Sequence, residues 1–184
     1  MLAARDDLAD KISSIAQNRG FTLFGFLNDL LELAIEADKM GITLKETVDS
    51  YELAREVKDA SFVLILESLL YDTGEIAYDK AKTQTLNAWY DAGNWIAQRY
   101  IARGVKDPIV AYERDLKAFG WNIPGITMET SGKTVSIRIL SPRFSDSYTV
   151  LFNRYLEGIL AGSGYEVTFN EVGRGNIRIE ASKR

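Results

Sequence analysis

One stretch constrains this chain more than any other. Residues 22–39, TLFGFLNDLLELAIEADK, read as a single helix with apolar side chains on almost every side. Thr22 is placed to N-cap it, its hydroxyl accepting from a free N–H of the first turn. Phe21 before the cap and Phe26 inside the helix have the spacing of a hydrophobic staple. Leu23, Phe24, Phe26, Leu27, Leu30, Leu31, Leu33, Ala34 and Ile35 leave only a narrow polar stripe through Gly25, Asn28, Asp29, Glu32, Glu36 and Lys39. A surface helix carries one apolar stripe, and a helix apolar nearly all round is buried. Few residues precede this one, so it needs partners on several sides. A second copy of the chain is the expected partner, with Phe26, Leu27, Leu30, Leu31, Leu33 and Ile35 at the interface.

The flanking segments read as helices. Leu8, Ile12, Ile15 and Ala16 recur at helical spacing from Asp6 or Asp7, and Gly20 is the expected left-handed residue after the helix end. Gly41 terminates the organising helix. Thr43 and Glu46 then form a capping-box pair for a third, charge-rich helix. Ser61–Leu66, SFVLIL, is a continuous apolar run that fits either a buried strand or the start of a helix. Glu67–Tyr71 reads as a helical turn, Thr73-Gly74 as a break, and 75–103 as a helix with Leu86, Trp89, Tyr90, Gly93, Ile96, Ala97, Tyr100 and Ile101 toward one side. Asp107-Pro108 opens another helix that runs to about Phe119.

Beyond Gly120 the period changes from 3.6 to 2. Strands are expected at 126–129, 134–140, 165–170 and 176–181, with a long helix at 145–161 between the second and third. Val135, Ile137, Val167, Phe169, Ile177 and Ile179 are the expected covered face, against that helix. Ser136, Arg138, Thr168, Asn170, Arg178 and Glu180 are the expected polar face, able in principle to meet an anion or a partner. Gly173-Arg174-Gly175 marks a hairpin, not a phosphate loop, since no helix and no P-loop lysine follow it. The fold class expected is α+β: a helical segment over residues 1–59, then an α+β domain over 60–184.

The composition narrows the chemistry. There is no histidine and no cysteine among the 184 residues. That removes the commonest general base, thiol nucleophiles, disulfides, cysteine-bound metal clusters and nearly all catalytic zinc sites. No pair of carboxylates stands out as acid and base. Asp29, Glu32 and Glu36 form an acidic row that reads as a solvated stripe, since a hard metal ion wants more converging oxygens. No catalytic residue, metal or cofactor is expected, and the chain reads as a non-enzyme. The net charge of −4 gives no overall attraction for nucleic acid. No apolar run approaches the ~20 residues of a membrane span. Asp6, Asp7 and Asp10 stand where a signal peptide would be apolar, so a cytoplasmic protein is expected.

Residues 6–40, a helix, a glycine, a Thr cap and a strongly apolar second helix, resemble the helix–turn–helix half of ribbon-helix-helix proteins. The resemblance implies a prokaryotic, archaeal-type transcriptional regulator: an intertwined homodimer that sets a two-stranded ribbon in the major groove of duplex DNA. On it, Arg5 is the one candidate base reader in the segment before the first helix, and Thr22 marks a helix N-terminus that would sit on a phosphate. Trp89–Tyr100 (WYDAGNWIAQRY), Lys117–Trp121 (KAFGW) and Phe152–Glu171 (FNRYLEGILAGSGYEVTFNE) are similar in order to the vinyl-reductase-like domain related to subunits of the TRAPP transport particle. That likeness implies a ligand-sensing domain, with a pocket for a small apolar or hydrocarbon ligand, or a dimer scaffold. Trp89, Tyr90, Trp95 and Tyr100 are the candidate pocket lining; the same aromatics also suit plain core packing. The alternative to a DNA-binding regulator is a homodimeric scaffold or small-molecule binder that keeps the helical segment only for assembly.

Overall fold

The computed structural model describes residues 5–59, 62–120 and 122–183. The chain is α+β and divides into two compact units, residues 1–63 and 64–184.

The first unit holds α1 (Asp6–Asn18), α2 (Leu23–Lys39) and α3 (Leu44–Asp59). Local chemistry sets each boundary. Gly20 takes φ 76°, and the Phe21 N–H donates to the Ala16 carbonyl at 2.9 Å, closing α1 in a Schellman motif. The Gly25 N–H donates to the Thr22 hydroxyl at 3.1 Å. The Phe21 and Phe26 rings stand 6.2 Å apart, which completes the staple. At α3 the Thr43 N–H donates to the Glu46 carboxylate at 2.6 Å, and the Glu46 N–H donates back to the Thr43 hydroxyl at 3.2 Å. α2 packs against both α1 and α3.

The second unit holds α4 (Glu67–Ala102), α5 (Pro108–Phe119), β1 (Gly125–Ser131), β2 (Thr134–Leu140), α6 (Asp146–Gly162), β3 (Tyr165–Gly173) and β4 (Asn176–Lys183). Its four strands form one antiparallel sheet in the order β1-β2-β4-β3. Val135, Ile137, Ile139, Ile177, Ile179 and Ala181 alternate onto the covered face, where they join Leu156, Ile159 and Leu160 of α6 in the core. Parallel to α6, α4 approaches to backbone contact. A Cβ on Gly158 would overlap the Tyr90 carbonyl, and one on Gly93 would overlap that of Tyr155. Only glycine permits that approach at these two positions.

Three expectations change. Thr73-Gly74 does not break the helix: Gly74 is buried within α4, facing Leu151. The break comes instead at Ala81, where φ −146° and ψ 50° leave the helical region. Residues 62–66 form neither strand nor helix, and all five side chains are exposed; Ser61 lies outside the described residues. Finally, Phe169 is not on the covered face. A β-bulge lies between Val167, opposite Ala181, and Phe169, opposite Glu180. One extra residue in a strand moves every later side chain to the other face. Phe169 therefore lies outside under the Arg178 guanidinium, 5.1 Å from its ring centre. Asn170, expected outside, stands opposite Ile179 and donates to Glu157 of α6 at 2.6 Å.

Candidate functional site

The first unit has almost no interior. Ala16 and Ala37 are its only buried residues among those described. A stretch of some sixty residues cannot offset its ordering entropy with two buried alanines. The apolar surface it exposes is ordered along α2. Phe26, Leu30 and Ala34 are half-buried within the chain and Ala37 is fully so; together they mark the face turned to α1 and α3. At 100° per residue, Phe24, Leu27, Leu31 and Ile35 fall on an adjoining stripe. Their exposures are 78%, 41%, 44% and 57%. Leu33, 53% exposed, lies on the opposite flank. The six residues expected at a dimer interface therefore separate into two that the chain half-covers itself, Phe26 and Leu30, and four that it leaves in water.

Phe24, the most exposed large side chain of α2, belongs to the stripe but was not among those six. Its signal was available, three residues before Leu27 and seven before Leu31.

Arg5 and Thr22 do not share one surface role in a single chain. Arg5 is exposed and extended ahead of α1, its guanidinium donating twice to the Asp7 carboxylate, at 2.9 and 2.7 Å. That pairing holds the Asp7 carboxyl below the usual carboxylate range. Thr22 is committed to its cap. The rest of the would-be ribbon, residues 1–4, lies outside the described residues.

The aromatic residues of α4 divide too. Trp89 packs edge-on to Tyr148 and Tyr155, with centroids 5.5 and 6.5 Å away. Tyr100 is buried, and its hydroxyl donates to Asp115 of α5 at 2.6 Å. Tyr90 is half-buried under the Arg154 guanidinium, 4.4 Å from the ring centre. Trp95 is 54% exposed, on the far side of α4 from Trp89 and Tyr100. The four do not converge on one space. What does converge is a core stack: Tyr71, Phe144, Tyr148, Phe152, Tyr155 and Tyr112, each ring within 6.1 Å of another. Burial pushes the Tyr148 hydroxyl up to about 12, and that of Tyr112 well above its ordinary value.

Among the described residues no cluster of acidic side chains could hold a metal ion, and no helix is long and apolar enough to cross a membrane. No family profile, no curated protein and no solved structure matches the chain.

Proposed function

We propose that the protein works as a homodimer joined through α2, as a dimeric transcriptional regulator. In this reading the helical unit assembles the pair and contacts DNA, and the α+β unit acts as the sensing or scaffold part. The observation that carries it is the missing interior of the first unit. A two-fold copy laid along Phe24, Leu27, Leu31 and Ile35 supplies that interior with the same patch on both chains. The first turn of α2 holds no acidic residue, which suits a phosphate at its N-terminus.

A second reading keeps the dimer and drops the DNA. Charge favours it. Residues 1–63 carry seven Lys and Arg against twelve Asp and Glu, a net of −5. Such a unit repels a polyanion unless the basic groups are gathered at the contact. Arg5, the one candidate reader, is already engaged by Asp7.

Binding of the purified protein to mixed-sequence duplex DNA across a salt series separates the two. A regulator shows affinity that falls steeply as salt rises, because bound phosphates release counterions. No binding at low salt leaves the dimeric scaffold.

A further inference from the structure

The break in α4 falls where no proline, glycine or serine lies. Helix kinks arise at proline, at glycine or serine pairs, or where a group inserts into the ladder. The segment around the break, YDKAKTQT (78–85), contains none of these residues, and Ala81 itself is the best helix former there is. Yet the chain folds back sharply. The Thr85 hydroxyl donates to the Ala77 carbonyl at 2.9 Å as well as to that of Ala81 at 3.0 Å. In a straight helix, residues eight apart are separated by roughly 12 Å along the axis. Gly74 and Gly93 would be about 28 Å apart on a straight helix, but they meet α6 at Leu151 and at Tyr155–Ile159, within two turns of each other.

What holds the first half of α4 in this place is tertiary contact. The Tyr71 ring lies 6.1 Å from Phe144 and 4.6 Å from Tyr148, and its hydroxyl accepts from Asn122 at 3.1 Å. Glu67 pairs with Arg143 at 3.0 Å. Each of these partners lies beyond residue 120, so a second chain offers the identical set.

We infer that the two chains of the dimer exchange residues 67–80: α4 straightens through Ala81, and its first half docks on Phe144, Tyr148 and Leu151 of the other copy. This rests on the homodimer read from α2. Exchange reproduces the contacts to residues beyond 120, gives up the bond from the Thr85 hydroxyl to the Ala77 carbonyl and adds only the helical bonds across Ala81, which is too little to hold two free chains together. Pairing through α2 tethers the two copies and raises their effective concentration to the millimolar range. Domain exchange is a low-cost step from there, since nothing new must be evolved.

The chain has no cysteine, so introduced pairs report without background. Gly74→Cys with Leu151→Cys, and separately Glu67→Cys with Arg143→Cys, are linked with a short bismaleimide. The second pair is partly exposed and keeps the test valid where the buried pair fails to fold. The products are weighed under denaturing conditions, beside sedimentation of the native protein. Expected is a linked species of twice the 20.6 kDa chain. Ala81→Gly should reduce it by about fivefold per hinge, the cost of glycine in a continuous helix. A protein that sediments as a dimer but links only within single chains overturns the exchange and leaves the α2 dimer standing. A protein that sediments as a monomer overturns both.

Discussion

Gly158 of α6 lies directly against the backbone carbonyl of Tyr90 in α4, with no room for a methyl group between them. Gly93 makes the reciprocal approach to Tyr155. Where two backbones touch, the neighbour that must give way is rigid. Gly158→Ala and Gly93→Ala should each destabilise the second unit by about 1–3 kcal/mol through overpacking. Gly74 differs, since an added Cβ would sit 3.6 Å from a Leu151 methyl, an ordinary contact. Gly74→Ala should be neutral or stabilising by up to about 1 kcal/mol. Denaturant unfolding of the three variants, followed by tryptophan fluorescence, checks the contrast.

The bulge in β3 makes a second contrast. Ile179 is fully buried, so Ile179→Ala should cost about 2–5 kcal/mol. Phe169, on the outer face beneath Arg178, should cost about 1 kcal/mol or less on truncation to alanine. Similar losses at the two positions would mean that the strand is in the unbulged register.

Alternation alone placed Phe169 inside, and the error shows what a sequence can carry. The caps at Thr22, Thr43 and Asp107 each need only a few neighbouring residues, and each stands where the sequence put it. The strands and the covering helix follow from period alone. A bulge, by contrast, is set by the partner strand and by Asn170 reaching Glu157, thirteen residues away. The kink at Ala81 is likewise imposed by Phe144 and Tyr148, more than sixty residues on. The aromatic candidates failed to converge for the same reason: helical spacing tells which side of α4 a ring is on, not what that side meets. The stripe on α2 was legible because a helix apolar on all sides is unusual whatever surrounds it.

The buried tyrosines set the pH response. Burial raises the hydroxyl pKa of Tyr71, Tyr100, Tyr112, Tyr148 and Tyr155, with Tyr148 at about 12. An acid whose folded pKa is raised stabilises the fold fully below its unfolded pKa, near 10 for tyrosine, and that stability is lost as pH rises through the folded value. Unfolding free energy should therefore fall from about pH 10 upward, with the Tyr148 share lost by about pH 12. Denaturation midpoints across that range, with ultraviolet titration of the tyrosines, test it. Tyrosines that all ionise near pH 10 with no loss of structure would contradict the packing of this core.

The proposed dimer through α2 has the most direct test. Each of Leu27, Leu31 and Ile35 is about half exposed in the single chain, and full burial of such a side chain is worth roughly 1.5–3 kcal/mol. Leu31→Glu sets a carboxylate in the centre of the stripe, where a partner helix would bury it unpaired. The decisive measurement is sedimentation equilibrium at low micromolar concentration, on the unmodified chain and on Leu31→Glu. Expected are a dimer for the first and a monomer for the second, its α+β unit still folded. A stable, folded monomer of the unmodified chain would contradict the assignment, as would a dimer that Leu31→Glu leaves intact.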